Sequence, residues 1–178
     1  KNKSQEDYNS RKLVEESGNE WDENQWLWVG DWLYTTGCCG NEFPDFITQE
    51  QLDVAMDAVE FFTLKFFSMK RGVAGASIVR EILMQIERAI TGTTNTRFVL
   101  MSGHDVSIVS TLDLLGVHLD YIPPFASHLA FEVWKINDIF NIRVVLNGDV
   151  KLGPIPITKF KSIIGPYLSY CPELGDFY

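Results

Sequence analysis

Apolar residues recur at helical spacing through positions 49–69. Leu52, Ala55, Met56, Val59, Phe62, Phe66 and Phe67 fall along one stripe. Thr48 precedes the stripe and Gln51 follows three positions later. In that pairing a hydroxyl and an amide side chain satisfy each other's free backbone donors. The pattern predicts a helix over 49–69, its aromatic stripe facing a core, with Gly72 and Gly75 breaking it. A second helix is predicted over 75–91, with Ile78, Ile82, Leu83, Ile86 and Ile90 on one face. Residues 92–95 then read as a turn. The pattern changes at 97–102, a short continuous apolar run that predicts a strand buried on both faces. Residues 106–115 predict a helix stopped by Gly116. Residues 127–136 and 141–146 predict strands joined by a hairpin through 137–140. Asn147-Gly148-Asp149 predicts a further turn, 150–152 a short strand, and Pro154 and Pro156 a loop. Thr158 is expected to cap a last helix over 159–169, with Phe160, Ile163, Ile164 and Leu168 turned inward. Helices and strands together make the expected fold class α/β.

Before this patterned region the chain is different in character. Residues 1–25 are polar and acidic, with Glu15, Glu16, Glu20, Asp22 and Glu23 close together. They read as a solvated helix or an ordered tail. Residues 26–34 carry Trp26, Trp28, Trp32 and Tyr34, and Trp21 lies just upstream. Two readings fit this aromatic segment: a hydrophobic cluster within the chain, or a surface packed on another chain. Residues 40–48 read as a loop.

Length and composition narrow the classes. With 178 residues, 46% of them hydrophobic, the chain can bury one substantial core. A net charge of −9 argues against nucleic acid or an anionic membrane surface as partner, since either needs a basic face. It is compatible with an acidic compartment. No apolar run reaches the length of a membrane-spanning helix, and no signal peptide is visible. The start at Lys1, not Met, reads as an N-terminus that is cut or incomplete, so the missing targeting segment decides nothing about a precursor. Of the three cysteines, Cys38 and Cys39 are adjacent and poorly placed to bond to each other. Either could pair with Cys171, leaving one thiol over, or all three stay reduced. Nothing in their spacing suggests a metal site. Asn2-Lys3-Ser4 is a glycosylation acceptor if the protein is secreted.

The candidate chemistry lies between the apolar run and the helix after it. Gly103 permits close backbone approach, and His104 and Asp105 follow at the junction. A helix beginning there aims free N–H groups at an anion, and a protonated His104 would add another donor. Asp105 could hand a proton to a leaving oxygen. The plainer reading makes Asp105 the N-cap of the helix and His104 a polar residue at a strand end. His118, expected exposed in a loop, and His128, expected to be a structural hydrogen-bonding residue, are weaker candidates. No serine-protease triad order or phosphate-cradling glycine loop is present.

Ser102-Gly-His104-Asp105, placed after Phe98-Val-Leu-Met, resembles the HD motif of the histidine acid phosphatases. Leu114-Leu-Gly-Val and Pro123-Pro-Phe-Ala-Ser-His-Leu-Ala-Phe-Glu132 resemble the family's next segment. Phe43-Pro-Asp-Phe-Ile-Thr48, with Arg71 and Gly75-Ala-Ser-Ile-Val-Arg-Glu-Ile-Leu83, resembles the helical part before the HD strand. The likeness spans roughly residues 31 to 170 and is nearest to the lysosomal and prostatic types. It implies the C-terminal part of a mixed sheet with flanking helices and part of a helical cap. Residues 1–30 would be an acidic, aromatic N-terminal segment, and 31–178 the C-terminal portion of one phosphatase domain.

The resemblance further implies acid phosphomonoesterase activity through a phosphohistidine, with His104 binding phosphate and Asp105 as proton donor. No metal or other cofactor is implied, and the expected location is lysosomal or secreted. The family's nucleophile lies in an RHGxRxP motif, and this chain contains no Arg-His-Gly. None of Arg11, Arg71, Arg80, Arg88, Arg97 or Arg143 stands in a matching context. The nucleophile is therefore expected from an N-terminal companion chain or missing segment. This chain alone is not expected to be active. Three accounts fit: a processed two-chain enzyme, an incomplete piece of one, or a non-catalytic, phosphatase-derived structural or binding subunit.

Overall fold

The hydrogen bonds at Thr48 show why the first patterned helix starts where it does. Thr48 Oγ1 accepts from the Gln51 N–H at 3.3 Å, and Gln51 Oε1 accepts from the Thr48 N–H at 2.8 Å. The computed structural model describes residues 26–66 and 73–168. These fall into two compact units divided between Phe62 and Thr63.

In the first unit, α1 (Trp26–Cys38) packs on α2 (Gln49–Glu60). Gly30 makes the approach possible, because a Cβ there would lie 2.6 Å from Val59 Cγ2 and 3.2 Å from the Ala55 carbonyl oxygen. Val29, Leu33 and Ala55 are buried between the helices, and Trp32, Phe43, Ile47 and Leu52 pack around them. The aromatic segment is thus a helix, divided in its burial. Trp32 joins the internal cluster, while Trp28 is 66% exposed. Beyond Glu60 the chain widens into a π-helical turn, Phe61–Phe66. The single helix expected over 49–69 is therefore two segments, with 67–69 outside the described residues. The change of pitch rotates the stripe, burying Thr63 and Leu64 and leaving Phe61 exposed. Cys38 and Cys39 are exposed and unpaired. Cys171, Arg71 and residues 1–25, with the readings placed on them, lie outside the described residues.

The second unit contains α3 (Val73–Ile90), α4 (Asp105–Leu114) and strands β1 (Leu129–Ile136), β2 (Ile139–Leu146) and β3 (Asp149–Pro156). It closes with α5 (Ile157–Leu168). The strands form an antiparallel sheet in the order β1-β2-β3. One core joins Ala76, Val79, Leu83 and Ile86 of α3, Leu112 and Leu114 of α4, Ile142, Val144 and Leu146 of β2, and Phe160 and Ile164 of α5. A Cβ on Gly75 would collide with the Ser110 backbone carbonyl, so a glycine lets α3 lie directly against α4. The architecture is a mixed α/β arrangement consistent with a histidine-phosphatase-like fold.

Several boundaries differ from the sequence pattern. The β1–β2 turn is only Asn137-Asp138, both at positive φ (48° and 63°), the tight turn that suits strand twist. Ile139 and Phe140 consequently belong to β2, with Ile136 paired to Ile139. Pro154 and Pro156 stand in β3 instead of a loop. The strand is at the sheet edge, where a missing N–H is tolerated. Thr158 lies within the first turn of α5, which begins at Ile157.

The largest correction concerns 97–102. This run is neither in a strand nor buried. Phe98 is 80% and Leu100 82% exposed, and Val99 and Met101 are exposed too. A strand needs ladder partners on its edges and cover on its faces. Here α3 and α4 pack on each other, and the segment joining them runs outside their shared core. Among the described residues no ladder pairs with it.

Candidate functional site

α4 begins beside this exposed run. His104 has extended backbone (φ −124°, ψ 169°), and the helix starts at Asp105. The cap is built from backbone and Ser107. The His104 carbonyl accepts from the N–H groups of Ser107 (3.0 Å) and Ile108 (3.2 Å), while Ser107 Oγ accepts from the His104 N–H (3.3 Å). Gly103 belongs to the same construction, since a Cβ there would stand 3.3 Å from both Ser107 Cβ and Oγ.

His104, not Asp105, therefore occupies the capping position, and its imidazole makes no capping bond. Asp105 is the first helical residue. Its Oδ1 accepts from the Val106 N–H at 2.7 Å, which anchors one carboxyl oxygen. The expectation that Asp105 would be tied up as the N-cap is overturned. Because the cap is made by backbone and Ser107, the His104 side chain is left exposed and the half-buried Asp105 stands directly beside it. An exposed imidazole, a carboxyl anchored at one oxygen and the positive end of a helix share one corner of the fold. Together they can hold an anion and exchange a proton with it.

Ser107 was not picked out from the sequence. Its signal, a hydroxyl three positions after His104 as Gln51 stands three after Thr48, shows only once the cap is placed at His104 instead of Asp105. The other two histidines lie elsewhere. His118 follows the opposite end of α4, about 15 Å along the axis at 1.5 Å per residue. It is exposed, as expected, and contacts Asp113. His128 stands at the entry to β1, where its N–H donates to Asn147 Oδ1 at 2.9 Å and its carbonyl accepts from the Asn147 N–H at 3.0 Å. Among the arginines, Arg143 donates from Nε to Glu132 Oε2 at 2.7 Å across the β1–β2 pair, and Arg80 donates to the Leu168 carbonyl. Neither bond connects to the His104–Asp105 corner. No helix among the described residues is long and apolar enough to cross a membrane.

Comparison with known proteins gives this corner a context. Residues 12–147 match the family described as Histidine phosphatase superfamily (branch 2), a span that includes α4 and both residues at its start. Counting factor 60 of Dictyostelium discoideum is 26% identical over 127 residues, covering 69% of this chain and 30% of that protein. 2-Phosphoxylose phosphatase 1 of Mus musculus is 27% identical over 116 residues, 64% of this chain and 24% of its own length. Prostatic acid phosphatase of Rattus norvegicus is 21% identical over 138 residues, 75% of this chain and 36% of its length. The chain thus spans between about a quarter and about a third of these relatives.

Proposed function

The chain belongs to branch 2 of the histidine phosphatase superfamily, and on that footing we propose that it serves the hydrolysis of phosphate monoesters. Its part is the proton-donor and phosphate-binding half of the site. The observation that carries this reading is the start of α4, where the exposed His104 imidazole and the anchored Asp105 carboxyl flank the helix N-terminus.

The chemistry follows from the two groups. A histidine nitrogen supplied from outside this chain attacks phosphorus. The N–P bond forms as the ester P–O bond breaks. The departing alkoxide carries the electron pair of that bond, and Asp105 gives it a proton. Water then attacks the phosphohistidine, the P–N bond breaks, and Asp105 takes back a proton as inorganic phosphate leaves. Throughout, His104 donates a hydrogen bond to a phosphate oxygen and so lowers the cost of the charge gathered there. Positioned proton donors of this kind supply on the order of 10² to 10⁴ in rate.

The nucleophile requires a companion chain or segment bearing Arg-His-Gly. This chain contains no Arg-His-Gly, so in this reading the nucleophile lies on residues outside it. The exposed apolar run at 98–101 supports the same reading, because it leads directly into His104 and could be covered by such a piece. A lysosomal or secreted location goes with this function, and a net charge of −9 is compatible with an acidic compartment.

The test uses the complete protein and aryl phosphates. Asp105→Asn is expected to lower turnover at least about tenfold on an ester with a poor leaving group, while phosphate inhibits as before. On an ester whose alcohol leaves without protonation the loss should be smaller. Near-normal turnover with the poor leaving group would remove Asp105 from this role.

A further inference from the structure

The other end of α4 holds a buried acid that the proposed chemistry does not use. The helix stops in a glycine turn. Gly116 sits at φ 77°, its N–H donates to the Asp113 carbonyl and the Val117 N–H to the Leu112 carbonyl, both at 2.9 Å. That turn folds the chain back on the last helical turn and brings His118 Nδ1 to 2.6 Å from Asp113 Oδ1. The two side chains differ sharply in setting: Asp113 is 5% exposed and His118 76%. Among the described residues Asp113 Oδ1 has no hydrogen-bond partner, so the His118 approach is a close contact without hydrogen-bond geometry. A buried carboxyl oxygen whose one polar neighbour faces solvent is held at considerable cost.

Asp113 and His118 both line a cavity of about 530 Å³, within the range of small-molecule sites. Leu64, Val109, Leu119 and Ile163 supply its apolar wall. An occupant must offer an apolar body to that wall and a donor to Asp113. An organic amine does both. Lys65 is also at the cavity, but it is exposed and can keep its ammonium in water, whereas the Asp113 carboxyl is buried. The buried group therefore sets the sign of the ligand, and the overall charge of −9 favours a cation as well.

We propose that this cavity is a binding site for a small hydrophobic amine, whose ammonium replaces the His118 imidazole on Asp113. The site is independent of the phosphatase reading, since it lies at the opposite end of α4 from His104. Calorimetric titration of the full 178-residue chain with phenethylamine should show saturable 1:1 binding. 3-Phenylpropionate, similar in size with the opposite charge, should not bind. Asp113→Asn should weaken the amine at least about tenfold, and His118→Ala should leave it unchanged or tighter, because the competing imidazole is gone. Leu119→Trp, which fills the cavity without altering its charges, should abolish binding and decides the matter if Asp113→Asn does not fold. Equal binding of the carboxylate, undiminished binding by a folded Asp113→Asn, or full binding to Leu119→Trp would each overturn the proposal.

Discussion

Single residues in this chain act through what their neighbours leave open. At Gly75 the neighbour is the Ser110 carbonyl, which occupies the place a methyl would need. Alanine normally favours a helix over glycine by roughly 1 kcal/mol. At this position the gain is outweighed, because α3 and α4 must separate and overpacked contacts cost about 1–3 kcal/mol. Gly75→Ala is expected to destabilise the chain by about 1 kcal/mol or more in urea unfolding. Ser77→Ala, exposed on the same helix, should stay within about 0.5 kcal/mol of the parent. Equal effects at the two positions would mean that contact with α4 does not set the requirement for glycine. The same logic applies at the candidate site. The Ser102-Gly-His104-Asp105 run was legible as chemistry, but the assignment of Asp105 as cap was not secure, because the helix starts one residue earlier, with His104 at the cap position and its N–H donating to Ser107 Oγ. The Asp113–His118 contact was illegible, since it depends on the path of the chain after Gly116 and not on any spacing that marks a motif.

Elements were readable where a local hydrogen-bond pattern settles them. Thr48 and Gln51 define the start of α2 from sequence alone. Removing the hydroxyl by Thr48→Ala should cost about 1 kcal/mol, measurable in urea, and no change would show that the backbone at that end is satisfied otherwise. The β1–β2 hairpin was legible for the same reason, although Asn137-Asp138 turns the chain in two residues where four had been expected. Two segments resisted reading. α1 is apolar or aromatic at most positions, with Trp28 exposed and Trp32 packed inward, so no single apolar stripe announces a helix. Residues 97–102 have the composition of a buried strand, but composition cannot supply the strands beside it. This predicts a contrast within the isolated chain. Leu100→Lys should leave its stability within about 0.5 kcal/mol, because Leu100 is already in water. Leu112→Ala, in a fully buried position on the neighbouring helix, should cost about 2–5 kcal/mol. A large loss from Leu100→Lys alone would mean that the segment is covered within this chain.

At the scale of the whole molecule the two halves of the argument meet. The chain belongs to the family, holds at the start of α4 the pair proposed to bind phosphate and move a proton, spans at most 36% of the relatives compared above, and contains no Arg-His-Gly. It also exposes four consecutive apolar residues, 98–101, separated from His104 by Ser102 and Gly103. Exposed apolar surface of this kind marks contact sites more often than solvent-facing decoration. A companion seated along 98–101 would be held close to the His104–Asp105 corner, the place where the proposed mechanism needs its nucleophile. Association and activity should then fail together. In the complete protein, Leu100→Lys should reduce both companion retention on size-exclusion chromatography and aryl phosphate turnover, while Asp105→Asn reduces turnover alone. Native material resolved by denaturing electrophoresis with and without reductant, and identified by intact mass, should contain a stoichiometric chain or segment bearing Arg-His-Gly. A defined complex without one would sink the two-piece enzyme. The family fold would then serve as a structural or binding subunit, and the retained His104 and Asp105 would have to act in phosphate binding without hydrolysis.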